Sequence, residues 1–311
     1  MSDRDQIAVL GGTGFVGSHT ADALSEAGYK VRVVDLKESP YLRADQEMVV
    51  CDLGDLEQLT DAFSGCRFVY HFAGIADIGD CAVNPRKTAE VNVLGTVNAL
   101  EAAVRNGVER FVFASTVYVY SGHGAFYRAS KQSAEAFIQT YKEQHDLDYT
   151  VLRYGTLYGR RADERNRIYQ LLRQGLETGY IDYQGSGDAM REFIHVRDAA
   201  RMAVQILQPE YANRHLVLTG QEKLRIQELL LMIREMMNDR VEVSWANGEP
   251  TGHYHLTPYS FMPQIGHKLV PEDYIDLGQG LMDTLTELLE QYHGMDEVLI
   301  DQGPRANRNR R

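Results

Sequence analysis

The chain has 311 residues, enough for one large core or for two lobes sharing a cleft. Its 44 acidic residues outnumber its 32 basic ones, and the net charge of −12 argues against a broad electrostatic footprint for nucleic acid or an anionic membrane. Hydrophobic residues at 44% and charged residues at 24% argue against wholesale disorder, and no run approaches the roughly 18 apolar residues of a membrane span.

In chain order, the first half alternates short apolar runs with amphipathic patterns. Strands are expected at 7–12, 30–36, 47–53, 67–74, 110–116 and 149–155, where Val, Ile, Phe and Tyr are concentrated. Helices are expected at 15–28, 55–64, 86–106 and 127–145. Strict alternation implies right-handed crossovers and a parallel sheet covered on both faces, a Rossmann-type doubly wound α/β domain over residues 1–156.

The second half is less regular. The pattern predicts a helix near 164–178, a Gly-rich turn at 183–190, a strand at 191–196, a helix from about 198, a strand at 215–220 and a helix at 225–237. A final amphipathic helix is expected near 277–293, followed by a flexible basic tail at 303–311. No low-complexity linker separates the halves, so residues 157–302 read as a smaller, interleaved α/β substrate-binding lobe, with 191–220 returning to the first domain.

Cys51, Cys66 and Cys81 are an odd number without metal-site spacing. The N-terminal "MSDRDQIAVL" lacks the apolar run of a signal peptide. A cytoplasmic protein with reduced thiols is the expectation.

"VLGGTGFVGSH" places Gly11, Gly14 and Gly17 between the first strand and the first helix. Glycines there allow a tight turn, approach of the backbone to a pyrophosphate, and close helix–strand packing, while the helix N-terminus offers free N–H groups. Asp35 ends the second strand eighteen residues after Gly17, where a carboxylate can accept from an adenosine ribose and would repel a 2′-phosphate. NAD is therefore favoured over NADP. Asp52 and Leu53 are placed to flank an adenine, with a helix N-cap at Asp52 or Asp55 as the competing role.

In combination, "GGTGFVG" (11–17), "YHFAG" (70–74), "NVLGTVNALEAA" (92–103), "FVFASTVYVY" (111–120), "YRASK" (127–131), "LRYGTLYG" (152–159) and "REFIHVRDAA" (191–200) resemble the motifs of the extended short-chain dehydrogenases/reductases. These include nucleotide-sugar epimerases, dehydratases and reductases. The resemblance covers residues 7–200 and implies NAD contacts from Gly11, Gly14, Phe15, Val16, Gly17, Asp35, Asp52, Leu53, Phe72, Ala73, Gly74, Tyr127 and Lys131. It implies that Thr116 stands at the catalytic Ser/Thr position, that Thr156 and Arg191 face the substrate, and that Asn92 lies on a helix beneath the site. A homodimer through the helices at 86–106 and 127–145 is implied as well.

Hydride transfer at a sugar carbon needs a base for the hydroxyl proton, and a free tyrosine, with a pKa near about 10, is a poor one. Lys131 lies one turn from Tyr127, and its ammonium, with a positive nicotinamide, is expected to bring the phenol into the working range. Lys131 can also hold the nicotinamide ribose, and Thr116 can hydrogen-bond the sugar oxygen. Aromatic burial with a snorkelling lysine is the competing account of Tyr-x-x-x-Lys. Only eleven positions separate Thr116 from Tyr127, about half the family's usual connection, with Gly122 and Gly124 allowing a tight return. Tyr118, Tyr120 and His123 in this stretch can face substrate, or pack in the core.

Arg191 suits a substrate diphosphate through its fork of donors, with a surface ion pair as the alternative. Thr156 stands where many relatives carry Asn, so that contact is shortened or lost. His253, His255 and His267 occur without a carboxylate or cysteine cluster, and no metal is expected. Dehydrating relatives follow the catalytic Thr with an acidic pair, whereas this chain has Val117-Tyr118. The reading is an NAD-dependent nucleotide-sugar epimerase; a dehydrogenase or keto-sugar reductase uses the same residues. A non-catalytic NAD-binding scaffold is the alternative of another class.

Overall fold

The computed structural model describes residues 6–246 apart from Ser186, Gln221, Glu222 and Asn238. The expectations for His253, His255 and His267, the helix at 277–293 and the tail at 303–311 lie outside the described residues.

The first half runs β1 (Gln6–Leu10), α1 (Phe15–Glu26), β2 (Lys30–Asp35), β3 (Gln46–Val50), α2 (Leu56–Ala62), β4 (Cys66–His71), α3 (Ile78–Val83), α4 (Pro85–Thr88), a π-helical turn at Ala89–Leu94, α5 (Gly95–Arg105), β5 (Arg110–Thr116), a 3-10 turn at Val117–Tyr120, α6 (Ala125–His145) and β6 (Asp148–Tyr154). The second runs β7 (Thr156–Tyr158), α7 (Arg167–Thr178), β8 (Tyr180–Gln184), β9 (Met190–His195), α8 (Val196–Gln205), β10 (Arg214–Leu218), β11 (Lys223–Arg225), α9 (Ile226–Met236) and β12 (Glu242–Ala246).

Seven strands form one sheet in the order β10-β6-β5-β4-β1-β2-β3, with every neighbouring pair parallel. Strand alternation sends Ala8 and Leu10 of β1 into a core with α2, α5 and α6, and Ile7 and Val9 into a core with α1 and α8. Burial of both faces explains why these strands read as continuous apolar runs. Tyr70 of β4 ties the second layer down by donating its hydroxyl to Ala203 O at 2.6 Å. The smaller lobe has its own core around Leu171, Ile181, Leu230 and Ile233, beneath the pairs β7–β9, β9–β11 and β8–β12.

Several elements depart from expectation. The third strand stops at Val50, three residues short, because β2 ends opposite it at Asp35 and Asp52 turns the chain by accepting from Gly54 N at 2.8 Å. The helix expected at 86–106 is helical from Pro85 to Arg105 but contains the π-helical turn, within which Asn92 is buried. α6 begins two residues early, at Ala125, through a left-handed step with φ of 92° at Gly124 and 43° at Ala125. The Gly-rich turn is shorter than expected, since Tyr183 and Gln184 belong to β8.

Candidate active site

A cavity of about 1560 Å³ opens at the carboxyl ends of the strands, and every residue assigned from the sequence to catalysis, cofactor or substrate lines it. Gly11, at φ 79°, turns the chain from β1, and its N–H donates to Val34 O at 2.8 Å. A Cβ on Gly11 would lie 2.4 Å from Ala73 N, and one on Gly17 would lie 2.2 Å from Gly11 O. Both glycines are therefore required by the fold itself. Gly14 differs, because a Cβ there would meet only Gly11 O, at 3.3 Å. Its φ of −75° suits any residue, so its smallness keeps open the space at the N-terminus of α1.

Asp35 has a structural task that the sequence did not reveal. Its Oδ2 accepts from Thr13 N at 3.0 Å and Thr13 Oγ1 at 2.7 Å, which fastens the glycine loop to the end of β2. Asp55, not Asp52, is the N-cap of α2, accepting from Gln58 N. Asp52 remains at the cavity wall, and Leu53 fills the space beside Gly95.

Thr116, Tyr127 and Lys131 come together at the end of β5. Thr116 lies close enough to the Tyr127 hydroxyl to favour its ionised form, and accepts from Tyr118 N at 3.2 Å. Lys131 is buried, donates to Ala114 O at 2.8 Å, and lies 4.6 Å from the centre of the Phe113 ring. Burial brings its ammonium down to about 8, opposed by Glu135 one turn further along.

Burial dominates the titration of the phenol. It pushes Tyr127 up to about 12, only partly offset by Thr116. Lys131 stands 6.0 Å from the centre of the Tyr127 ring, and its ammonium directs one donor to a carbonyl and lies over an aromatic face. Lys131 by itself therefore does not bring Tyr127 into the neutral range.

Asn92 is a tether between two sides of the site. It accepts from Ile75 N at 2.7 Å and donates to Ile75 O at 2.9 Å and Ser130 Oγ at 3.0 Å, while Ser130 donates to Tyr127 O at 2.8 Å. A Cβ on Gly74 would meet Asn92 Oδ1 at 2.8 Å, so this glycine, at φ 146°, is fixed by the tether.

On the far wall, Thr156 of β7 and Arg191 of β9 face the cavity, the latter donating also to Met190 O at 2.8 Å. The walls are joined by His19, hydrogen-bonded to Arg160 O at 2.8 Å, and by Arg161, 2.7 Å from Asp22 and 4.5 Å over the Tyr41 ring.

Residues 7–218 match the NAD dependent epimerase/dehydratase family. The chain belongs to that family. Among its relatives is a putative UDP-glucose 4-epimerase of Methanocaldococcus jannaschii, 28% identical over 266 residues that span 76% of this chain and 84% of the relative. UDP-glucuronic acid decarboxylase 1 of Danio rerio is 26% identical over 78% of this chain and 63% of its own length. The solved structure of the Thermus thermophilus UDP-glucose 4-epimerase with NAD superimposes with a TM-score of 0.73 at 26% identity, covering 84% of this chain and 95% of that one.

The cradle at Gly14 and the Asp35 carboxylate fit the dinucleotide that gives this epimerase/dehydratase family its name. Gly14→Ala should leave the melting temperature near that of the wild type but weaken NAD binding about tenfold, a loss near 1.4 kcal/mol, in a fluorescence titration. Gly17→Ala should instead lower the melting temperature, because Gly11 O occupies the position of the new Cβ. The Arg161–Asp22 clasp left no signal in the sequence, and the resemblance that places Asn92 beneath the site does not disclose its bonds to Ile75 and Ser130, since these join residues far apart in the chain. Among the described residues, no helix of this family member is long and apolar enough to cross a membrane.

Proposed function

We propose that the protein is an NAD-dependent nucleotide-sugar epimerase that inverts a ring carbon through a transient keto-sugar. A UDP-hexose is the proposed substrate and C4 the reacting carbon, supported by the relatives named as UDP-glucose 4-epimerases. The observation that carries the reading is the assembly of Thr116, Tyr127 and Lys131 in one cavity with the Gly14 cradle, with Val117-Tyr118 and not an acidic pair after Thr116.

In this reading, residues 1–156 hold the cofactor and 157–302 mainly the substrate; of the span 191–220 expected to return to the first domain, α8 and β10 pack on its sheet, while β9 pairs with β7 and β11. Gly11, Gly14, Phe15, Val16 and Gly17 would cradle the pyrophosphate and Asp35 the adenosine ribose. Asp52 and Leu53 would flank the adenine, with Phe72, Ala73 and Gly74 along the nicotinamide half. NAD, when bound, supplies the hydride acceptor and a positively charged ring.

Tyr127 takes the proton of the sugar hydroxyl and later returns it. Because burial holds its phenol at about 12, this base is weak until positive charge reaches its hydroxyl, which couples proton removal to a loaded site. Thr116 donates to the sugar oxygen, and Lys131 has donors beyond the one used on Ala114 O for a ribose hydroxyl. Arg191 and Thr156 hold the substrate from the far wall.

The test is to denature the purified protein, identify the released nucleotide, and follow UDP-glucose by NMR. Tightly held NAD and formation of an isomer without added cofactor support an epimerase. Stoichiometric NADH supports a dehydrogenase instead, and neither product supports a scaffold.

A cytoplasmic location is proposed on the three buried free thiols at Cys51, Cys66 and Cys81. A homodimer is proposed through the helical segments at 86–106 and 127–145. Phe126 and Phe137 lie exposed on one face of α6, three turns apart and interleaved with the small residues Ala129 and Ala136, and Leu94 is exposed just ahead of α5. Light scattering should give twice the chain mass, and Phe137→Asp should give the monomer.

A further inference from the structure

The geometry points to Tyr118 as a specificity-determining residue, its ring forming the sugar-facing wall of the cavity where only a short connection joins Thr116 to Tyr127. This rests on the nucleotide-sugar reading above. Of the three rings between Thr116 and Ala125, only Tyr118 lines the cavity. Tyr120 is turned to Arg153, and His123 is exposed and paired with Ser121.

The Tyr118 ring stands edge-on to the Tyr127 ring, with centroids 6.4 Å apart and planes at 74°. Its position is set from behind by Gly124, where a Cβ would lie 2.9 Å from Tyr118 Cδ1. The backbone that carries it is gripped from two sides. Gln132 donates to Val119 O at 2.9 Å, Arg128 to Ser121 O at 2.7 Å, and Arg153 to the Tyr120 hydroxyl. Arg128 and Gln132 lie one turn apart on α6, so the helix that carries Tyr127 also fixes the turn that carries Tyr118.

A rigid aromatic beside the base offers a flat, uncharged surface. The matching ligand surface is the C–H face of a neutral pyranose, which packs on an aromatic ring by dispersion and by shedding water. Tyr118 thus recognises the sugar, while the nucleotide is recognised elsewhere. The consequence is that substitutions at Tyr118 separate the two halves of the substrate.

Calorimetric titration of the NAD-loaded protein with UDP-glucose and with UDP tests this. Tyr118→Leu should weaken UDP-glucose about tenfold and leave UDP within about twofold, at an unchanged melting temperature, and Tyr118→Phe should restore UDP-glucose binding. If Tyr118→Leu does not fold, Tyr118→Trp keeps the aromatic face but enlarges it, and must weaken UDP-glucose without weakening UDP. Equal losses for both ligands, or no loss for either, overturn the role of Tyr118 while leaving the functional reading in place. A wild-type protein that binds neither ligand overturns both.

Discussion

Tyr127→Phe is expected to lower kcat about 10³-fold, the middle of the range for loss of a general base, while NAD binding stays within about twofold. The substitution removes one oxygen and keeps the ring, so the T-shaped packing against Tyr118 survives. It also removes a hydroxyl that is costly to ionise here, since burial holds it up near 12. The cofactor contacts proposed for the glycine loop and Asp35 are untouched. Stopped-flow or NMR turnover, together with quantification of the nucleotide released on denaturation, separates the two effects. Retained turnover in this variant sinks the assignment of Tyr127 as the base.

The largest stability effect is expected at Glu135. Its carboxylate is almost fully buried, accepts from Ser115 Oγ at 2.5 Å, and pairs with Arg153 at 2.5 and 3.1 Å. Arg153 in turn reaches the Tyr120 hydroxyl and His215 Nδ1, the latter at 2.9 Å, so one cation links β5, α6, β6, β10 and the turn after Thr116. Desolvation and this cation lower the His215 pKa, which keeps the ring an acceptor. Glu135→Ala strands the guanidinium and should cost about 3 kcal/mol in urea unfolding, as expected when one partner of a buried pair is removed. The double variant Glu135→Leu with Arg153→Met should recover much of that loss, because an apolar pair leaves no uncompensated charge. A Glu135→Ala protein as stable as the wild type would show that the pair is solvated.

The same two residues mark the limit of what the sequence discloses. Tyr127 and Lys131 were found because four positions on a helix put them on one face, and Gly11, Gly14 and Gly17 because a strand-to-helix turn confines them within seven residues. Glu135 and Arg153 carried no comparable signal. Their pairing requires α6 and β6 to be packed side by side, and an ionic contact leaves no periodicity. β12 was missed for a related reason: its partner β8 lies about sixty residues upstream and supplies the pairing that a five-residue segment cannot announce. The expected third strand runs too far because Cys51 and Leu53 carry the apolar pattern past Val50 on either side of Asp52, while the end of its partner β2 sets where pairing stops.

The sequence by itself determined the alternation of strands and helices, the doubly wound sheet, the glycine turn and the Tyr-Lys spacing, all consequences of local geometry and of hydrophobic period. Only the tertiary structure decided that Asp35 braces the glycine loop, that Gly14 is the glycine of that loop with room for a Cβ, and that Lys131 donates to Ala114 O and lies over the Phe113 ring. Those outcomes depend on which groups burial brings within hydrogen-bond reach and which it strips of water, and both are properties of packed neighbours distant in the chain.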